Sequence, residues 1–365
     1  MLIFLIASIY MALKIGGDMK KVSLILIPIC FFVLLSAAHA AVGKVSKLSG
    51  EVSYRTRDNI PYQKAKDGIE LEVGYWIKTG KDGWARLSLS DGSTFTLANN
   101  TELKIDSFLV SKEKKAGVFN LSQGKIRATV TKLTGQQTNY RVKSPTAVAG
   151  IKGTEFMMMT QGYANVFFGN EGTADISGDA GSDKPLTTEA MVQNTRGMTP
   201  TDPVNVDKNT PLSAAKKNFE DITEAKPPKD WEISGNLPHI IARWNINYGR
   251  YLADSGRYED AIYVFQIALD LTDNGDIKGD ARLERGSVYA SFLRNPEAAL
   301  AEYLLMLEEY PAYPQRETAL YRTGMILYEM GFMKRAKERL LQYTTEFPSG
   351  KHFGNVETIL KMIKD

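Results

Sequence analysis

The chain has 365 residues, 43% of them hydrophobic and 24% charged, with a formal net charge of +3, so two or three domains with ordinary cores are expected. Its lysines and arginines are scattered rather than gathered in one stretch, which argues against nucleic acid as a partner. Cys30 is the only cysteine, which excludes thiol catalysis and thiolate metal sites from all that follows it.

From Met19 the sequence reads MKKVSLILIPICFFVLLSAAHA: two lysines, an apolar run from Val22 to Leu35, then Ala38-His39-Ala40. That order predicts a secretory signal cut before Ala41, so residues 1–40 are assigned to a signal peptide. The apolar run is shorter than the roughly 20 residues a spanning helix needs, and cleavage is expected in place of anchoring. Residues Met1–Asp18 are apolar but too short to span. Gly16-Gly17-Asp18 can be encoded by a stretch resembling a ribosome-binding site, so translation is expected to begin at Met19. Cys30 then leaves with the signal, and a mature chain without cysteine suits an oxidising periplasmic or other extracytoplasmic compartment.

Residues 41–177 have β character. In WARLSLSDGSTFTL, Ala85, Leu87 and Leu89 share one face, Arg86 and Ser88 the other, and Phe95 and Leu97 resume the apolar face. Asp91-Gly92 between them predicts a two-residue type I′ hairpin. Strand-like runs continue with VFNLSQGKIRATV, NYRVKSPT, TEFMMMT and YANVFF, which predicts an all-β sandwich or roll. Met157-Met158-Met159 is assigned to strand core, because neighbours on a strand point to opposite faces. Residues 178–237 are rich in Gly, Pro, Asp and Thr and are expected to form a connector. It carries one edge strand near 188–193 and a short amphipathic helix over 212–225.

From residue 238 the period becomes helical and repeats. RWNINYGRYLADSGRYEDAIYVFQIALDL carries Gly249, Gly256, Tyr258, Ala261 and Phe265; LYRTGMILYEMGFMKRAKERLLQYTTEFP carries Gly324, Gly331, Ala336 and Leu340 at matching offsets. The segment between them aligns with Ser287 where glycine is usual, and the period is near 37 or 38 residues. This resembles the tetratricopeptide pattern, an all-α helical solenoid, here three repeats plus a closing helix over 355–364. The acidic segment 273–280 is expected to be a solvated inter-repeat loop. In the family's geometry Arg243, Ile246, Arg250, Tyr321, Met325 and Tyr328 line the face that takes a peptide or protein partner.

The β region resembles the periplasmic FecR domain. The resemblance rests on Gly50-Glu51-Val52, on Leu71, Gly74, Ile77, Thr79 and Gly80, on Asp91-Gly92-Ser93 and on Gly124-Lys125-Ile126. It closes with Ser144-Pro145-Thr146-Ala147-Val148-Ala149-Gly150-Ile151-Lys152-Gly153-Thr154-Glu155-Phe156. The glycines of this last segment are expected at turn or close-packing positions, with Thr154 and Phe156 on a strand and a binding role for Lys152 and Thr154 as the alternative. The family's namesake relays a signal to a sigma factor through a cytoplasmic segment. Residues 1–18 are too short for such a segment, so the resemblance implies only an extracytoplasmic binding or sensory module.

No catalytic constellation, metal set or cofactor motif stands out. His239 and His352 are expected at the surface, and no H-E-x-x-H, G-x-S-x-G or EF-hand loop occurs. The expected function is therefore a non-enzymatic envelope scaffold. Its β domain would bind a glycan, peptidoglycan or protein, and its repeats a protein or peptide. A relay from the β domain to a membrane partner is the alternative.

Overall fold

The computed structural model describes residues 41–132, 137–151, 153–224 and 237–363. The expected signal peptide, the Met19 start and Lys152 lie outside them. The strands, in chain order, are β1 (Gly43–Ser49), β2 (Val52–Arg55), β3 (Gln63–Lys64), β4 (Glu70–Leu71), β5 (Trp76–Thr79), β6 (Trp84–Leu89), β7 (Thr94–Leu97) and β8 (Glu102–Val110). They continue as β9 (Lys114–Thr129), β10 (Gln137–Lys143), β11 (Ala147–Ile151), β12 (Glu155–Gln161), β13 (Ala164–Glu171), β14 (Ala174–Gly178), β15 (Gly181–Leu186), β16 (Ala190–Asn194) and β17 (Val204–Asn205).

They form two sheets. The first runs β4-β1-β6-β7-β9-β12-β13-β16-β17. The second runs β3-β2-β5-β8-β9-β10-β11-β14-β15. The long strand β9 is common to both: its part up to Gln123 pairs with β8 and β10, and Gly124 to Thr129 pair with β12. Gly124, at φ +106°, marks the change. A Cβ there would lie 2.3 Å from the Thr101 Cα, so no other residue fits without displacing backbone.

Between the sheets lies a core containing Leu87, Phe95, Phe119, Ile126, Phe156 and Phe167. The rings of Phe95 and Phe119 are 4.3 Å apart. Burying each such ring contributes about 1.5–3 kcal/mol.

The first sheet is buried on its other face as well. Trp84, Met157, Met159, Val166, Phe168 and Met191 point away from the sandwich into a second core shared with helices α1 (Pro211–Ile222), α2 (Leu237–Asp254), α3 (Tyr258–Leu271) and α4 (Gly275–Ser291). Helix α1 starts with a capping box, in which Thr210 Oγ1 accepts from Ser213 N and Ser213 Oγ accepts from Thr210 N; such a cap is worth about 1 kcal/mol. Its Phe219 meets Phe168 edge-on, with centroids 6.3 Å apart at 90°. From Val42 onward the chain forms one compact unit.

The remaining helices are α5 (Pro296–Glu309), α6 (Arg316–Glu329), α7 (Met333–Glu346) and α8 (Phe353–Met362). They pack as antiparallel pairs α2/α3, α4/α5 and α6/α7, closed by α8. Each pair touches at a glycine. A Cβ on Gly249 would lie 2.5 Å from the Phe265 ring, one on Gly286 2.5 Å from Tyr303, and one on Gly324 2.4 Å from Leu340. These contacts make the array tetratricopeptide-type.

Several expectations are corrected here. The Asp91-Gly92 hairpin is not type I′. Gly92 is at φ +84° but Asp91 is not at positive φ, and Gly92 N donates to Leu89 O while Leu89 N donates to Ser93 O. The turn is thus a three-residue loop closed by a glycine bulge. Strands do not end at residue 177, because β15, β16 and β17 continue the sheets and all five residues of β16 are buried. Where described, residues 178–237 therefore belong to the packed structure and do not form a loose connector. Residues 275–280 open helix α4, capped by Asn274 accepting from Ile277 N, in place of the expected loop. In the second repeat the contact glycine is Gly286, one residue before the aligned Ser287, so no departure from glycine exists at that position.

Candidate functional site

A groove of about 930 Å³ lies on the outer face of the second sheet. Its floor is β10, β11 and β14. Along β10 alternation sends Tyr140 and Val142 into the core and leaves Gln137, Asn139 and Arg141 exposed. Lys114, Lys132, Arg141 and Lys143 wall the groove, with Asp175 and Asp183 at its far side. Among the described residues, Lys132, Arg141 and Lys143 make no ion pair. The groove is therefore cationic.

Beneath the floor, β9 and β10 are held in parallel register by a buried polar cluster. Asp91 Oδ2 accepts from Lys115 Nζ at 3.0 Å, from Tyr140 OH at 2.8 Å and from Ser93 Oγ at 2.7 Å, and Oδ1 accepts from Ser93 N. Lys115 Nζ also donates to Thr131 O. Burial alone would raise the Asp91 carboxyl, but the hydrogen bonds from Ser93, Lys115 and Tyr140 outweigh it and hold the pKa below its usual value. The Tyr140 hydroxyl is pushed up, first by burial and then by the Asp91 charge. Gly117 makes room, since a Cβ there would lie 2.4 Å from the Tyr140 ring. Sequence alone assigned Asp91 to a turn; nothing in the spacing of Asp91, Lys115 and Tyr140 signals that they meet.

The closing motif supplies the adjacent strand. Pro145 is exposed in the β10–β11 turn, and Val148, Gly150 and Ile151 line the groove. Gly150 corrects expectation: its φ is not positive, and a Cβ would stand 3.6 Å from Asp175 O, an ordinary contact. Neither turn nor close packing requires glycine there; its effect is to leave the floor open between Arg141 and Asp175. Gly153 differs, at φ +89° with a Cβ position only 2.8 Å from Lys132 Cβ. Thr154 is buried just before β12, and Phe156 lies in the core at 1% exposure. Glu155 accepts from Arg127, Thr129 and Asn170. Burial opposes its ionisation, yet these bonds, Arg127 foremost, keep its pKa below the usual range.

A row of outward-facing residues continues from the groove across the sheet. Paired positions share a face, and the registers connect Arg55, Trp76, Lys104, Asn120, Lys143, Val148, Ser177 and Asp183 in one row over eight strands. At strand spacing the row spans about 34 Å. At its far end the Arg55 guanidinium lies 4.5 Å from the Trp76 ring and 4.8 Å from the Tyr62 ring, and Lys104 Nζ stands 5.2 Å from Trp76. Asp58 accepts from Trp76 Nε1 and Lys104 Nζ, and these two bonds lower its pKa.

The six residues assigned to the repeat face are dispersed. Ile246 is 3% exposed in the core, which corrects its placement on a partner surface. Arg243 pairs with Asp280 at 3.6 Å and Arg250 with Glu284 at 2.8 Å, while both side chains stay about half exposed. Tyr321 stacks on His352 at 3.9 Å. Met325 and Tyr328 are half-buried on the same helix.

Residues 76–172 match the family described as FecR protein. No curated protein matches the chain. Among solved structures, a candidate anti-sigma factor from Parabacteroides distasonis is 13% identical with a TM-score of 0.31, over 39% of this chain and 64% of its own length. The C-terminal TPR-containing domain of a candidate FK506-binding protein from Plasmodium falciparum is 18% identical with a TM-score of 0.29, over 34% of this chain and 89% of that one. The second TPR domain of human RPAP3, solved with an HSP70 peptide, is 21% identical with a TM-score of 0.30, over 35% of this chain and 98% of that one. Likenesses this distant carry no functional argument. Residues 76–172 thus carry a FecR domain, and the helix-pair geometry makes the region from Leu237 onward a tetratricopeptide-type array.

Proposed function

We propose that this is a non-catalytic extracytoplasmic interaction protein whose second sheet binds an extended anionic glycan of the envelope. The observation that carries this is the cross-strand row, with the cationic groove at one end and the Trp76–Arg55–Tyr62 stack at the other. Four cations match carboxylates along a polymer, and an aromatic platform suits the apolar face of a sugar ring. The helical array, with Arg243, Arg250, Met325 and Tyr328 exposed or half-exposed, is the surface for a protein or peptide partner. Co-sedimentation with purified peptidoglycan tests the reading. Binding should weaken as salt rises and fall at least about tenfold in Arg141→Glu/Lys143→Glu. Equal sedimentation of this variant and wild type would sink it.

A second reading, a relay between ligand and partner, is favoured by the core that the first sheet shares with α1–α4. A relay requires reciprocal coupling of about 1–3 kcal/mol between the two binding events. Calorimetric titration of the partner with and without bound glycan measures it.

A further inference from the structure

Lys125 is the residue that the fold explains least. It follows Gly124 on β9, is 4% exposed, and makes no ion pair among the described residues. A buried ammonium without a counter-charge is costly, and burial pushes its pKa down to about 8. Its side chain lines a cavity of about 200 Å³ where the first sheet meets the helices.

The other walls include Asn100 from the β7–β8 turn, Met159 and Gln161 from β12, His239 from the first turn of α2, and Thr272 and Asp273 after α3. Asp273 does not neutralise the lysine: its side chain is 97% exposed and pairs with Lys278 at 3.8 Å. His239 is the other titratable group there. Amide, hydroxyl and imidazole groups thus line the cavity beside one buried cation, with the positive end of the 18-residue helix α2 alongside.

We propose that this junction cavity binds a small carboxylate whose charge is met by the Lys125 ammonium. One buried ammonium balances a single negative charge, whereas phosphate brings about −1.5 to −2. The volume suits one small organic acid, since a water takes about 30 Å³. A ligand seated there touches β9, β12, α2 and α3 together, so occupancy fastens the helices to the sheet. This site is separate from the outer-face groove and does not depend on that reading.

The test is calorimetry on the full chain with propionate and with inorganic phosphate as probes, alongside the Lys125 Cε resonance followed through pH. Propionate, a monocarboxylate, should bind saturably and raise the Lys125 titration midpoint by about one unit or more. Lys125→Met should lose at least about tenfold in affinity while melting no lower than wild type. The groove variant Arg141→Glu/Lys143→Glu should bind propionate unchanged. Absent propionate binding, tighter binding of phosphate, or equal binding by Lys125→Met would each overturn the proposal.

Discussion

Lys115 and Asp91 meet at 3.0 Å with neither side chain exposed to solvent. A strand of the second sheet is thereby tied to a hairpin loop of the first, directly beneath the groove floor. Removing one partner strands the other as a buried charge, so Asp91→Leu should cost about 3–5 kcal/mol. Asp91→Leu/Lys115→Met should recover most of that loss, as urea unfolding of the pair will show.

The same carboxylate makes stability acid-sensitive. Its folded pKa lies below its unfolded value. Its contribution is thus complete above the unfolded value of about 4 and is lost as pH falls through the folded one. Glu155 acts in the same direction. Urea midpoints should drop steeply below about pH 4 in wild type, and less steeply in Asp91→Leu/Lys115→Met.

Two glycines of one motif should behave oppositely. Gly153→Ala puts a Cβ at positive φ against Lys132 and should lose about 1–3 kcal/mol. Gly150→Val should leave the melting temperature nearly unchanged and weaken peptidoglycan binding by filling the floor. A Gly150→Val protein that unfolds readily would show that the glycine serves packing after all.

The core shared by the first sheet and the helices predicts joint unfolding. Phe168→Ala should cost about 3–5 kcal/mol and lower strand and helix signals in one coincident transition. A chain ending at residue 200 leaves Met157, Met159, Val166 and Phe168 without their helical cover. It should aggregate or bind hydrophobic dye.

Lys125→Met should be more stable than wild type. The folded pKa, about 8, lies below the unfolded value of 10.5, so the penalty is full below pH 8 and vanishes above pH 10.5. The gain should approach about 3 kcal/mol at neutral pH and disappear in strong alkali, as denaturant titrations at the two pH values will show.

Local patterning made much of this fold legible. Alternation in WARLSLSDGSTFTL located β6 and β7, and small residues at repeat spacing located the helix pairs. What stayed hidden depended on pairing at long range. Lys115 lies 24 residues from Asp91 and Tyr140 lies 49, and no local period joins them. One missed feature did have a signal. MMM in β12 and VFF in β13 are apolar without alternation, which marks a strand buried on both faces. Met158 and Phe167 enter the sandwich while Met157, Met159 and Phe168 face the helices. That run could have exposed the docking of the array and ruled out a loose connector. Gly150 misled for a different reason: glycine in a motif suggests a turn, but here the missing side chain is itself the feature.

Strand β9 occupies the middle of both sheets, with four strands on either side of it in each. A one-residue insertion early in β9 would therefore invert Phe119 and Leu121 against one sheet. The same insertion after Gly124 would instead exchange Ile126 and Ala128 for Lys125 and Arg127 in the core. Length changes confined to hairpin tips disturb one edge, whereas any change here throws two registers out at once. The molecule can vary at its rims but has a single axis whose residue count is not negotiable.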